Sequence, residues 1–250
     1  MTELPGVRRV EQIMGMPIVV DVRDEVGDEP LVEVFAWLRF VDETFSTYKE
    51  TSEISRLNRG ELELADAHPD VREVLERSEE LRVLTDGYFD VHAASPDVLD
   101  PSGYVKGWSV DRAAAILDGA GVENYAVSAG GDMRLRGRAV PEPVWRVGIQ
   151  HPTHKDSVAA VVEGNDLAIA TSGAYIRGDH VFDPHTHAPA QGLLSVTITG
   201  PELATADGFA TAAFAMGEAS TEWLGRLRGY EALAIRADGT ALRTAGFPAV

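Results

Sequence analysis

The stretch Asn124-Tyr125-Ala126-Val127-Ser128-Ala129-Gly130-Gly131-Asp132 decides the fold class. It is a β-prone run stopped by two glycines. The runs that follow it, at 144–150, 158–163 and 167–171, are also strand-like and are separated by turns that contain glycine or proline. A doubly wound parallel sheet places a helix between successive strands. Here helices precede and interrupt the strands without that alternation, so the pattern predicts an α+β fold.

Working outward, Met14-Gly15-Met16-Pro17 separates two short strands, with Ile18, Val19, Val20 and Val22 on the second. From Pro30, Leu31, Val34, Phe35, Leu38, Val41 and Phe45 keep the three-and-four spacing of an amphipathic helix that ends near Thr47-Tyr48. A second helix begins at Pro69, runs through Val71, Val74, Leu75, Ser78, Leu81 and Leu84, and stops at Asp86-Gly87. Residues 92–103 read as a loop that delivers the chain to Lys106-Gly107, and a third helix follows at about 110–117. Beyond the central strands come a strand at 194–199, an alanine-rich helix from about 206 to 216, a short helix at Trp223-Leu224 and a hairpin turned at Asp238-Gly239. There is no internal repeat and no clear linker, so residues 1–250 read as a single domain.

The charge narrows the chemistry. Twenty-two Lys and Arg stand against forty Asp and Glu, a net charge of −18, and the pI is about 4.7. Such a chain has no general affinity for nucleic acid, whose phosphates are held by clustered cations. Any polyanionic ligand must be met by a metal ion or by local donors. An apolar share of 44%, a charged share of 25% and a mean hydropathy of −0.09 fit neither disorder nor membrane insertion. With no cysteine, disulfides, zinc thiolates and thiol nucleophiles are excluded. The polar opening residues and the short apolar run at 17–20 lack a signal-peptide core, so a cytoplasmic location is expected.

Several clusters are able to carry chemistry. Gly130-Gly131 before Asp132 allows close backbone approach to a ligand, and equally suits a hairpin turn with an acidic tip. No phosphate-loop or dinucleotide fingerprint is present. Asp207 and Thr211, four residues apart on one helix face, offer two hard oxygens to a cation such as Mg²⁺; Asp207 also suits a helix N-cap. His180, His185 and His187 fall within eight residues, but the spacing is not that of a zinc hydrolase, and Asp183-Pro184 favours a turn. His180 is either a general base or a surface histidine. Tyr48 and Tyr175 are either stacking partners for a planar ring or core side chains.

In this order the motifs resemble the ApbE family of FAD:protein FMN transferases. They are Met-Gly-Met at 14–16, Phe-Ser-Thr-Tyr at 45–48, Ser-Glu-Ile-Ser-Arg-Leu-Asn at 52–58 and Gly-Tyr-Phe-Asp at 87–90. Val-Lys-Gly-Trp-Ser-Val-Asp at 105–111, Gly-Gly-Asp at 130–132 and Thr-Ser-Gly-Ala-Tyr at 171–175 follow. His-Val-Phe-Asp-Pro at 180–184 and Ala-Asp-Gly-Phe-Ala-Thr-Ala at 206–212 complete the series.

The resemblance implies a T-fold-related α+β fold with FAD and Mg²⁺ in a cleft between two lobes. It implies transfer of FMN from FAD to a Ser or Thr hydroxyl of an acceptor flavoprotein, with release of AMP, and neither a nucleic-acid partner nor membrane insertion. It assigns Met16, Tyr48 and Val181 to the flavin, Asp90, Asp100 and Lys106 to nucleotide contacts, and Asp207, Thr211 and the Gly103 carbonyl to Mg²⁺. His180, with Asp207, takes the catalytic role. The alternatives are an FAD-binding protein without transfer activity and an Mg²⁺-dependent FAD pyrophosphatase. Three departures from the family pattern stand out: a segment of only fifteen residues, 91–105, between Asp90 and Lys106, with His92 in place of threonine; His187 in place of glycine; and the expected lack of the signal peptide and cysteine that mark the family's exported lipoproteins.

Overall fold

The computed structural model describes residues 5–154, 156–173 and 181–250. Strands β1 (Val7–Ile13) and β2 (Met16–Val22) form the expected hairpin, in register from Val7 opposite Val22 to Ile13 opposite Met16. Met14 and Gly15 turn it with φ of 54° and 71°, the left-handed pair that a two-residue hairpin requires. The sheet continues through β3 (Tyr125–Ala129), β4 (Asp132–Arg136), β7 (Leu167–Gly173), β10 (Leu193–Gly200), β11 (Glu231–Arg236) and β12 (Ala241–Arg243). Every neighbouring pair in it is antiparallel. Strands β5 (Trp145–Gln150) and β6 (Val158–Gly164) form a separate hairpin, and β8 (Phe182–Asp183) pairs with β9 (Ala188–Pro189).

Helices α1 (Glu29–Phe45), α2 (Glu53–Asn58), α3 (Pro69–Leu84), α4 (Ser102–Gly119), α5 (Leu203–Met216) and α6 (Ser220–Leu224) complete the described fold. Helices α1 and α3 lie where hydrophobic spacing places them. The buried face of α1 is Leu31, Val34, Phe35, Leu38, Val41 and Phe45, each worth roughly 1.5–3 kcal/mol of burial. These residues share one core with Val20, Val127, Ala168 and Ala170 from the sheet. The other face of the sheet supplies Ala126, Leu135, Ile169 and Leu233 to a smaller core with Trp145, Ile149 and Val162 of the β5–β6 hairpin and with Phe247. Antiparallel sheet with helices is the α+β arrangement read from the sequence.

Two helices begin earlier than the spacing predicts. Helix α4 starts at Ser102 rather than near 110, and α5 at Leu203 rather than near 206. The glycines that disguise α4 serve packing. A Cβ on Gly107 would lie 2.5 Å from the Leu203 carbonyl oxygen and 2.8 Å from Ala204 Cα. Glycine at 107 and alanines along α5 therefore let the two helices cross at close range. Strand β4 departs from the sequence pattern too, because its alternate residues Asp132, Arg134 and Arg136 are charged and pair with Lys106, Asp111 and Asp118 of α4.

Candidate active site

The α4–α5 crossing brings three charged side chains together. Lys106 Nζ lies 2.6 Å from Asp132 Oδ2 and 3.2 Å from Asp207 Oδ1. Both carboxylates are only 2% exposed, while the lysine side chain is a quarter exposed. Asp132 Oδ2 faces the Lys106 ammonium as its counter-ion. Its other oxygen accepts the Thr171 amide at 2.9 Å. Asp207 Oδ2 accepts the Gly107 amide at 3.1 Å. The close crossing thus does two things: it sets the α4 backbone on the α5 carboxylate, and it turns Lys106 into the gap between two acids.

Asp207 is not a helix cap. It sits one turn inside α5, whose first amides are met by Asp111 of α4: Ala204 N–H donates to Asp111 Oδ2 at 2.8 Å. Burial, opposed by Lys106, pushes the Asp207 carboxyl up to about 7. Burial alone would lower the Lys106 ammonium, but the charges of Asp132 and Asp207 outweigh it and hold it above its ordinary value.

One turn along each helix, Gly103 and Thr211 face each other. A Cβ on Gly103 would lie 3.2 Å from Thr211 Oγ1 and 3.3 Å from Phe89 Cε2. Next to this cluster the Gly130-Gly131 turn pairs Ala129 with Asp132, so the hairpin reading of that motif holds, although its acid is buried rather than exposed. Gly130 has φ of 59°, and a Cβ there would lie 2.9 Å from Met16 Sδ. The bare backbone of that turn is what seats Met16. A cavity of about 500 Å³ lined by Arg23, Ser128, Met133 and Trp145 lies on the opposite face of the sheet and contains none of these residues.

The ApbE family pattern matches residues 14–97 and 93–234. The FAD:protein FMN transferase of Vibrio cholerae is 31% identical over 243 residues, covering 74% of this chain and 73% of that protein. The chain belongs to the ApbE family. The FAD:protein FMN transferase of Escherichia coli is 34% identical over 160 residues, which are 60% of this chain and 46% of that relative. The flavin transferase ApbE from Vibrio cholerae has a solved structure that matches with a TM-score of 0.85 at 26% identity, over 96% of this chain and 97% of that one. The ApbE protein from Thermotoga maritima shares the fold, with a TM-score of 0.84 at 22% identity.

Of the ApbE positions, Gly103, Lys106, Asp207 and Thr211 are gathered at the crossing. Met16 is buried beside Gly130, and Val181 is buried with its carbonyl accepting the Ala190 amide. Asp90 and Asp100 lie on the loop before α4. Asp90 Oδ1 accepts the His92 amide at 2.7 Å, and Asp100 Oδ1 accepts the Ser102 amide at 3.0 Å. Tyr48 is 96% exposed, which removes the core reading of that residue. His187 takes a φ of 54°, in the left-handed region that favours glycine, so this position carries the backbone a glycine would adopt there. His180 and Tyr175 lie outside the described residues.

Sequence reading did not assign a site role to Asp132. The Gly-Gly-Asp motif drew attention to it, but nothing in one sequence marks a turn acid as buried. The signal that finds it is the alternation of Asp132, Arg134 and Arg136 against Lys106, Asp111 and Asp118 of α4. Among the described residues no helix is long and apolar enough to cross a membrane.

Proposed function

We propose that this chain, acting as one domain, transfers the FMN moiety of FAD to a Ser or Thr hydroxyl of an acceptor protein, with AMP as the leaving group and Mg²⁺ as the metal. Membership in the ApbE family supports the reaction, and the assembly of Lys106, Asp132, Asp207, Gly103 and Thr211 at one helix crossing is the observation that carries it. The residues fit Mg²⁺ by their chemistry. A carboxylate, a hydroxyl and the Gly103 carbonyl are hard oxygen donors, and the missing Cβ at Gly103 keeps the Thr211 hydroxyl uncrowded, since a Cβ there would press on Thr211 Oγ1 at 3.2 Å. Bound there, Mg²⁺ would neutralise charge on the pyrophosphate.

The protein's own groups do the rest. Lys106 supplies a permanent positive charge toward the nucleotide, and Asp132 fixes where that charge sits. Asp207 must be ionised to take a metal. Met16 and Val181 offer apolar surface to the isoalloxazine, and Tyr48 offers a ring free to stack. Asp90 and Asp100 offer acceptors to the nucleotide from the loop before α4. The acceptor hydroxyl oxygen forms a bond to the FMN phosphorus as the bond to AMP breaks, and the hydroxyl proton passes to a base. We assign that role to His180.

Purified protein incubated with FAD and Mg²⁺, with and without a peptide bearing an acceptor Ser or Thr, tests the proposal. AMP release together with a peptide mass increase of one FMN supports it. Free FMN and AMP without peptide modification would make the protein a pyrophosphatase. Bound flavin with no AMP would make it a binding protein.

A further inference from the structure

We propose a second metal site, for a nitrogen-seeking divalent ion of the Zn²⁺ class, at the tip of the β5–β6 hairpin. His151 Nδ1 and His154 Nδ1 face each other at 3.2 Å, and Thr153 Oγ1 lies 3.2 Å from the first and 3.0 Å from the second. Three polar atoms therefore form a near-equilateral triangle. With metal–nitrogen bonds of about 2.0–2.1 Å, two nitrogens 3.2 Å apart subtend about 100°, close to the tetrahedral value.

The tip is held in that shape by its backbone. His151 N–H donates to the Ser157 carbonyl and Ser157 N–H to the His154 carbonyl, both at 2.9 Å, which closes the loop. Thr153 N–H donates to His151 Nδ1 at a long 3.3 Å, so this nitrogen carries a lone pair rather than a proton, and a metal ion would displace that weak amide bond. The two rings are 4.7 Å apart and steeply inclined, at 69°. Thr153 and His154 are exposed and His151 is half-buried. In water such imidazoles gain little from each other, because one shared proton replaces two good hydrogen bonds to solvent. A metal ion at the centre of the triangle satisfies both lone pairs, and water can complete its shell.

The donors separate this site from the one at α4–α5. Imidazole nitrogen suits zinc and its neighbours, whereas Mg²⁺ prefers oxygen. The two sites are also built on different elements, one on α4, α5 and β4 and the other on the tip of the β5–β6 hairpin. No carboxylate forms an ion pair with either histidine among the described residues, so the site carries the charge of the ion it binds.

The test titrates metal-free protein with Zn²⁺ by calorimetry, in excess Mg²⁺ to occupy oxygen-donor sites. One equivalent binding in the micromolar range is expected. His151→Ala and His154→Ala should each weaken binding by at least about tenfold, and Thr153→Val by less. The pair His185→Ala and His187→Ala should leave it unchanged. In the unmutated chain, Zn²⁺ should protect His151 and His154 from carbethoxylation, read by peptide mass, which does not depend on how any variant folds. Binding only at millimolar Zn²⁺, absence of protection, or loss of binding in the His185/His187 variant instead would overturn the proposal.

Discussion

Lys106, Asp132 and Asp207 meet through ion pairs of 2.6 and 3.2 Å at the α4–α5 crossing. On the loops outside it, Asp90 and Asp100 each spend an oxygen on the amide two residues ahead, and Tyr48 stands in solvent. The first region is ordered by folding itself: its groups are desolvated and aimed at one another before any ligand arrives. The second is ordered only locally, and its side chains have contact surface still to gain. The comparison divides the work. Under the proposed function, the crossing would govern rate, through preorganised charge, and the loops would govern affinity, through contacts made on binding.

The division is broken most severely at Asp207. Asp207→Ala should lower Mg²⁺-dependent AMP release by at least about 10²-fold while the chain still folds, because Lys106 keeps Asp132 as its partner. A variant that retains the rate would remove Asp207 from the metal site. The raised Asp207 pKa has a signed consequence. Its ordinary value is 3.8 and its folded value about 7, so the folded protein holds an extra proton between them, and in the metal-free protein this group's contribution to stability falls as pH rises through that window. Lys106, held above its ordinary value, gives up its contribution only at far higher pH. A bound metal favours the ionised form, so metal affinity rises with pH. The melting temperature gained on adding Mg²⁺ should accordingly be larger at about pH 8 than at about pH 5.5. Equal gains at both would show that Asp207 is ionised throughout.

Gly107 comes next in size. Its absent Cβ is what lets α4 meet the Leu203 carbonyl, so Gly107→Ala should destabilise the fold by about 1–3 kcal/mol and slow transfer as the Lys106–Asp207 geometry opens. Denaturant melting and AMP release measure the two effects. A slower rate at unchanged stability would place the crossing's tolerance elsewhere. Gly107 is also where the sequence concealed the structure. Hydrophobic spacing was sufficient for α1 and α3, whose apolar faces are continuous. It failed for the start of α4, where Ser102, Gly103 and Gly107 read as a loop, since small residues lower helix propensity even when they exist to admit a neighbouring helix. It failed for β4 because a strand whose charged residues face a helix inverts the usual pattern. The motif series nevertheless located Gly103, Lys106, Asp207 and Thr211, which the fold brings together. Asp132 remained only a turn residue, because burial depends on α4 lying across it.

On the loops the expected effect is on affinity alone. Tyr48→Ala should weaken FAD binding by about 1–3 kcal/mol, the cost of losing an aromatic stacking partner, and should leave the melting temperature of the ligand-free protein unchanged because the ring is exposed. Flavin titration beside thermal melting reads both. A lowered melting temperature would mean that the loop after α1 is tied to the core, which would weaken the distinction between the two regions.

The smallest effect tests whether the 183–189 turn belongs with the loops. His187 holds φ at 54°, a conformation that costs a side-chain-bearing residue about 1–2 kcal/mol. Its Nδ1 lies 3.1 Å from the Ala93 carbonyl, tying this turn to the loop that follows Asp90. His187→Gly removes the strain, but it adds about 0.5–1 kcal/mol of backbone entropy to the unfolded chain and loses one exposed hydrogen bond. These contributions oppose one another, so stability should stay within about 0.5 kcal/mol of the parent. His187→Val keeps the strain, loses the hydrogen bond and adds a β-branched side chain at left-handed φ, so it should cost about 1–2 kcal/mol more. Denaturant melting separates the two substitutions. A valine variant as stable as the glycine one would mean that the turn rearranges freely. A glycine variant that lost FAD binding would mean that the histidine side chain, and not the backbone it tolerates, is what the site uses.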